Sequence, residues 1–170
     1  MTIHSHHPFA DPESARDPVR RFRGRLGGAV SLWTSGAGRE RAGLTVSSMM
    51  VAAGEPARML ALIDPDSDLA ERITATGRAV VQLLSRPDHD LAEMFAGTAP
   101  APGGVFAHAA FEDTAWGPRL SSASSWAGVQ VEEVREVGWS SLVTVVVEHV
   151  EVNEDDDPLV HRRGRWAPAT

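Results

Sequence analysis

The residues best suited to chemistry lie in one stretch, 42–50, which reads AGLTVSSMM. Thr45, Ser47 and Ser48 supply three hydroxyl groups, and an extended chain places two of them on the same side. Gly43 permits either a positive φ or the close approach of another group to the backbone. Short side chains leave backbone N–H groups open, so a planar heterocycle rich in acceptors could lie against them. An ordinary β-strand rich in Thr, Val and Ser fits the same residues. The rest of the chain has to distinguish this strand from a ligand-binding site.

The composition excludes several classes of protein. The 170 residues suffice for one domain with a buried core, and a net charge of −7 disfavours a nucleic-acid partner. All 16 basic residues are Arg and Cys is absent, which excludes a lysine Schiff base, thiol catalysis and Cys-bound metal. No apolar run is long enough for a membrane span, and the N-terminus lacks the apolar core of a signal peptide. We therefore expect a soluble, cytoplasmic protein with no DNA, RNA or membrane partner.

The chain is predicted to consist of a disordered tail, residues 1–16, and a single domain, residues 17–170. His4, His6 and His7 in the tail could hold a metal ion. No carboxylate or thiol is clustered tightly around them, so a solvated tail is the better interpretation. No metal site is predicted.

Most of the elements that must position the 42–50 stretch are strands. A short helix is predicted from Pro18, with Val19, Phe22 and Leu26 on one face that should pack on another element. Strand signals cover the segments 29–34, 39–48, 59–63, 79–84, 129–137, 142–152 and 158–166, of which 59–63 is expected to be buried on both faces. Short turns join most of them, which favours an antiparallel barrel over a doubly wound sheet.

Two further segments place polar groups where a ligand could bind. Asp64 and Pro65 are predicted to begin a helix directly after a buried strand, and a helix N-terminus there can bind an anion. Asp66 and Asp68 would repel a phosphate, so a well-capped structural helix fits this segment equally well. Gln82 interrupts an apolar strand, and its amide must bond either to a ligand or to a neighbouring backbone group.

Four motifs, taken in order, resemble those of a known family. They are AGLTVSS at 42–48, TGR at 76–78 leading into AVV, LAEMFAG at 91–97 and PLVHRRGRW at 158–166. In this order and spacing the chain resembles the flavin reductase-like group of the FMN-binding split-barrel proteins. The resemblance implies a mainly β fold with a few helices, an antiparallel Greek-key split β-barrel. It also implies a homodimer with flavin, FMN or FAD, bound beside the dimer interface.

The resemblance assigns flavin contacts by position. The corresponding residues are Thr45, Val46, Ser47, Ser48, Asp64, Ser67, Arg78 and Gln82. The first four face the isoalloxazine ring and the ribityl chain, and the segment 64–68 faces the ribityl phosphate. Gln82 stands at the family's usual Asn. The phosphate segment is acidic and has Leu69 where a Thr is common. We therefore expect an arginine to bind the phosphate, with Arg39, Arg41 and Arg78 as candidates. The C-terminal strand brings His161 and Trp166 near the flavin or the dimer partner.

The activity implied by the resemblance is NAD(P)H:flavin reduction, with NADH or NADPH as donor and a partner monooxygenase or small molecule as acceptor. Flavin itself carries the hydride chemistry, so no catalytic side chain is predicted. Family members that use NAD(P)H often have Gly-Asp-His where this chain has Gly138-Trp139-Ser140. This departure leaves two alternatives open. They are a flavin-binding module without reductase activity and a split barrel that uses another cofactor, such as a deazaflavin or haem.

Overall fold

The computed structural model describes residues 18–154, 157–162 and 165–168, with side chains to residue 165. The predicted tail, Asp17 and the side chain of Trp166 lie outside these residues. The helices are α1 (Pro18–Leu26), α2 (Asp68–Thr76) and α3 (His89–Phe95). The strands are β1 (Gly28–Ala29), β2 (Ser31–Ser35), β3 (Ala42–Val46), β4 (Met49–Ala52), β5 (Arg58–Ile63), β6 (Arg78–Leu83), β7 (Phe111–Asp113), β8 (Pro118–Leu120), β9 (Trp126–Val137), β10 (Ser140–Glu151), β11 (Leu159–Arg162) and β12 (Arg165–Pro168).

Seven strands form one antiparallel sheet in the order β3-β2-β6-β9-β10-β5-β4. The two edge strands, β3 and β4, are joined only by Ser47 and Ser48, so the sheet must curl until its edges face each other. The Leu62 N–H donates to the Ser48 carbonyl at 3.0 Å, which extends the pairing of β4 with β5 by one residue into this connection. The predicted fold class, a mainly β antiparallel split barrel with a few helices, is confirmed.

Two apolar clusters fill the two faces of the sheet. Inside the curl, Trp33 packs with residues of β5, β6, β9, β10 and α2. On the outer face, Leu32 packs with Phe95 of α3 and Leu120 of β8. Both faces of β2 are therefore covered, and all five of its residues are buried. Strand β5 alternates between buried and less buried residues, so the expectation that it is buried on both faces is wrong.

Several element boundaries differ from those expected. The second strand is shorter, because Gly38–Glu40 forms a 3-10 turn before β3 begins. Helix α2 starts at Asp68 with Ser67 as its N-cap, so the predicted start at Asp64 and Pro65 is wrong. The segment 158–166 contains two short strands, β11 and β12, which form a separate three-stranded sheet with β1. Twelve strands occupy the described residues where about seven are expected, because two predicted runs are divided and β4, β7 and β8 lie where no strand is predicted.

Helix α1 forms as expected, but none of its residues is buried in the single chain. Val19, Phe22 and Leu26 are 73%, 69% and 70% exposed, so the prediction that this face packs on another element is not met within the described chain. None of the described helices is long and apolar enough to span a membrane.

Candidate functional site

An open groove with a volume of about 830 Å³ lies beside the edge strand β3. Its walls come from β3 and the turn before it, the start of α2, the end of α3 and the loop that follows α3. The lining residues are Gly38, Arg39, Arg41, Ala42, Gly43, Leu44, Ser67, Asp68, Met94, Phe95, Ala96, Gly97 and 103–107. Pockets for small organic ligands typically measure about 300–1,000 Å³, so this groove has room for a large one.

Gly43 lets α3 approach β3 closely enough to form the groove wall. A Cβ at this position would lie 2.6 Å from Cε1 of Phe95. Gly43 is not among the glycines of positive φ, so of the two predicted reasons for this glycine the close approach is confirmed. Phe95 is held in turn by edge-on contacts with Phe106 and Phe111, at centroid distances of 5.2 and 6.1 Å.

Gly43→Ala is expected to lower the free energy of unfolding by about 1–3 kcal/mol, since the packed Phe95 ring has to move. Urea unfolding followed by circular dichroism measures this. Gly54→Ala is the matched control, because Gly54 lies in an exposed turn and its Cβ would be 3.3 Å from the nearest atom. Phe95→Leu in the Gly43→Ala background should recover part of the loss. Equal stability of Gly43→Ala and Gly54→Ala would contradict the assignment.

The polar groups near the start of α2 are organised by Ser67. Its hydroxyl accepts from the Ala70 N–H at 3.2 Å and donates to the Asp64 carbonyl at 2.7 Å. The Asp64 carboxylate accepts from the Asp66 N–H at 2.9 Å, so it closes its own turn. Ser67 and Asp68 line the groove, whereas Asp64 does not.

The hydroxyls of the 42–50 stretch divide into two kinds. Thr45 donates its hydroxyl to the Ala92 carbonyl at 2.6 Å, which ties α3 to β3. Val46 is 3% exposed and its carbonyl accepts from the Ser31 hydroxyl. Ser47 and Ser48 are exposed at the point where the two sheet edges meet. Because β3 is an edge strand, its outward backbone groups have no strand partner in the described chain.

Two of the three candidate arginines line the groove. Arg41 donates from Nε to the Gly38 carbonyl at 3.0 Å, and its guanidinium lies 4.6 Å from the centroid of the Phe106 ring. Arg39 lies beside it on the same turn. Arg78 is outside the groove lining and donates to the Ala115 carbonyl at 3.3 Å. The groove therefore combines two cations with one lining carboxylate, that of Asp68.

The match to known families decides which ligand this groove should be tested for. Residues 23–170 match the flavin reductase like domain. The chain belongs to this family.

This flavin reductase-like chain is similar to proteins whose names specify FMN in one case and FAD in another. It is 28% identical to the 4-hydroxyphenylacetate 3-monooxygenase reductase component of Pseudomonas aeruginosa, over 88% of this chain and 89% of that protein. It is 29% identical to FMN reductase (NADH) RutF of Ancylobacter novellus, over 75% and 70% of the two chains. The solved NADH:FAD oxidoreductase SgcE6 of Streptomyces globisporus C-1027 has the same fold, with a TM-score of 0.80 at 21% identity, covering 94% of this chain and 98% of that one.

Flavin, the cofactor that the family implies, fits the groups of this flavin reductase-like domain. The outward backbone of β3 and the hydroxyls of Ser47 and Ser48 can bond to a heterocycle at one end. The first-turn N–H groups of α2 and the two groove arginines offer donors and positive charge for phosphate at the other end, whereas the Ser67 hydroxyl already donates to the Asp64 carbonyl.

Gln82 does not reach this flavin-sized groove. Its side chain is 0% exposed, its Nε2 donates to the Thr34 hydroxyl at 3.0 Å, and its Oε1 accepts from the Leu120 N–H at 2.6 Å. Gln82 is therefore not among the groove-lining residues, and both ends of its amide are bonded to protein groups. The alternative, that the amide bonds to neighbouring protein groups, is confirmed.

Other residues considered for the flavin reductase-like site lie elsewhere. His161 is half-buried on β11, and burial together with nearby Arg23 lowers its pKa. Trp139 is 95% exposed at the tip of the β9–β10 hairpin. The described residues contain no group of His, Cys, Asp or Glu arranged to hold a metal ion.

The groove also contains residues that the pattern of the sequence did not single out. Phe106 and its neighbours, 103–107, form one wall. The available signal in the sequence was Gly103-Gly104, within a Pro/Gly-rich stretch typical of a loop, and both glycines have a positive φ. A lone Phe after such a stretch carries no periodic pattern, and its position depends on packing against Phe95 and Phe111.

Proposed function

We propose that this protein is an NAD(P)H-dependent flavin reductase that supplies reduced FMN or FAD to a partner monooxygenase or a small acceptor. The observation that carries the proposal is the 830 Å³ groove beside β3 in a chain of the flavin reductase family. One relative is named as an NADH-dependent FMN reductase and another as the reductase component of a monooxygenase, which supports the donor and the type of partner.

The two ends of the site bind different parts of the flavin. The edge of β3, with Ser47 and Ser48, orients the isoalloxazine ring, while Thr45 and Val46 fix the position of that edge. Ser67 and the first turn of α2 hold the ribityl phosphate, and the groove arginines offset its charge. Asp64 supports Ser67 through its turn, and Arg78 contributes from outside the groove only through the bond to Ala115. Bound flavin supplies the hydride chemistry, so the chain needs to provide orientation rather than a general acid.

We also propose that the protein acts as a homodimer. We place it in the cytoplasm, where its pyridine-nucleotide substrate is available. The apolar residues left exposed on the single chain support a second copy. Phe22 and Leu26 of α1 are 69% and 70% exposed, and Met50 and Val51 of the edge strand β4 are 67% and 63% exposed. Burial of such residues stabilises association.

The second candidate function is flavin binding without reductase activity, as in a sensor, carrier or storage protein. The observation in its favour is Gly138-Trp139-Ser140 at the β9–β10 tip, where the indole of Trp139 is exposed and no imidazole is present. A nicotinamide ring would have no histidine there to position it.

The test is oxidation of NADH and NADPH by the purified protein, followed at 340 nm with and without FMN and FAD, together with flavin titration by fluorescence. We expect flavin-dependent oxidation of at least one donor. Ala96→Trp, which fills the groove, should abolish both flavin binding and oxidation, whereas Ala115→Trp, at an exposed turn outside the groove, should retain both. Flavin binding without oxidation selects the second candidate, and no flavin binding at all would overturn both.

A further inference from the structure

A buried serine lies directly behind the last residue of the edge strand β3. Ser31 is 0% exposed and pairs with Val46 in the ladder between β2 and β3. Its hydroxyl donates to the Val46 carbonyl at 2.7 Å and accepts from the Trp33 indole N–H at 3.2 Å. Because the hydroxyl both donates and accepts, it has little freedom to rotate. Ser31 therefore links the end of β3 to a fully buried indole of the core.

The bond from Ser31 also bears on the direction of the next N–H group. The Val46 carbonyl and the Ser47 N–H belong to one planar trans peptide unit, in which they point in opposite directions. The carbonyl points toward β2, so the Ser47 N–H points away from the sheet, on the open side of the edge strand. Within the described residues this N–H donates to no acceptor. It is therefore available to a ligand.

The two carbonyls that follow also face the protein. A Cβ on Gly28 would lie 3.3 Å from the Ser47 carbonyl oxygen, so β1 passes close to that group. The Ser48 carbonyl accepts from the Leu62 N–H at 3.0 Å. The 47–48 connection is thus held through its backbone, although both of its residues are exposed. A ligand at this edge meets a donor of fixed direction.

We propose that Ser31 is a positioning residue for the ligand that binds at the end of β3. Ser31 does not touch the ligand. It holds the 46–47 peptide so that the Ser47 N–H points at a hydrogen-bond acceptor on the edge of a planar heterocycle. The identity of that heterocycle rests on the proposed function, which assigns the flavin ring to this end. A donor that is held in place before binding does not have to be ordered on binding.

Ser31→Ala tests this role, and Ser35→Ala is the matched control. Ser35 is a second buried serine of β2, at the opposite end of the strand, and its hydroxyl donates to the Arg78 carbonyl at 2.7 Å. Both variants remove a buried, bonded hydroxyl, so both should lower the urea midpoint. Only Ser31→Ala should weaken flavin binding, by about fivefold in a fluorescence titration under conditions where both variants are folded, as for one misaligned hydrogen bond.

Ser31→Thr separates affinity from stability. It keeps the hydroxyl, so flavin affinity should stay within about twofold of wild type, while the added methyl group in a fully buried position should lower the urea midpoint. An increased loss of flavin affinity in Ser31→Thr, equal to that of Ser31→Ala, would contradict a role of the hydroxyl.

A second measurement needs no flavin. Nitrogen-15 relaxation of the Ser47 amide, in the ligand-free protein, reports how firmly the 46–47 peptide is held. We expect an order parameter like that of the β3 amides in wild type, Ser31→Thr and Ser35→Ala, and a value below about 0.6 in Ser31→Ala.

The outcomes separate this proposal from the proposed function. Equal losses of flavin affinity in Ser31→Ala and Ser35→Ala would overturn the positioning role, and so would a Ser47 amide that stays ordered in Ser31→Ala. Failure of the wild-type protein to bind flavin would overturn the proposed function instead. In that case a Ser47 amide that becomes mobile only in Ser31→Ala still supports the anchor.

Discussion

Gly128→Ala is expected to lower the free energy of unfolding by about 3 kcal/mol, the upper part of the usual range for overpacking. A Cβ on Gly128 would lie 2.2 Å from Cδ2 of Trp116, so the indole has to move. It cannot move freely, because its Nε1 donates to Glu148 at 2.6 Å and its ring stacks on His149 at a centroid distance of 5.4 Å. The Trp126 ring makes an edge-on contact with the same indole, at a centroid distance of 6.2 Å.

The effect should spread beyond the indole. Trp116 belongs to the turn between β7 and β8, which Thr114 closes through its hydroxyl bond to the Gly117 carbonyl at 2.7 Å. Displacing the ring would pull this turn from β9 and loosen β8, which follows at once. The loss is expected in urea unfolding and in the melting temperature, with Gly54→Ala as the control at an exposed turn.

A double variant tests the cause. Trp116→Ala should itself be destabilising, but Gly128→Ala should cost little when the indole is absent, since the clash is gone. A coupling between the two positions of 0.5–3 kcal/mol is typical of residues in direct contact. If Gly128→Ala costs the same with and without the indole, backbone flexibility and not the Trp116 contact explains this glycine.

The strands could be anticipated from the sequence because alternation and apolar runs follow directly from side-chain burial. The two-residue connection 47–48 is different. Nothing in AGLTVSSMM shows that the chain passes there from one sheet edge to the other, since the same residues continue a strand equally well. Only the pairing of β4 with β5, and of β3 with β2, fixes the break.

The start of α2 shows a limit of local rules. Asp64 followed by Pro65 has the residue types of an N-cap and first turn, and so does Ser67 followed by Asp68. The chain uses the second pair, because the Asp64 carboxylate instead bonds to the Asp66 N–H and makes a turn of its own. Competing caps three residues apart cannot be ranked from the sequence alone.

The groove depends on contacts between segments distant in sequence, and these were the least predictable part. Part of the 42–48 motif lines the groove, as do Arg39 and Arg41, two of the candidates for the phosphate charge. Phe106 and the fit of Phe95 over Gly43 are products of packing among β3, α3 and the loop after it. No periodicity within any one segment encodes them.

Gln82→Leu is expected to lower the free energy of unfolding by about 3 kcal/mol, because it leaves a buried donor and a buried acceptor without their partner. The Gln82 amide joins three segments of the chain. It lies on β6, donates to Thr34 on β2 and accepts from Leu120 on β8. Thr34 in turn donates to the Pro118 carbonyl, so removing the amide leaves β8 with this bond to β2 and takes away its bond to β6.

Gln82→Asn separates this structural role from a direct role in flavin binding. The shorter side chain cannot span both partners where they now stand. We expect it to lower the urea midpoint while flavin affinity, titrated well below the midpoint, stays within about twofold of wild type, since groups remote from a ligand affect it little. A loss of flavin affinity at unchanged stability would mean instead that the amide leaves Thr34 and Leu120 to contact the flavin. In that case the buried network would be one of two states of this site.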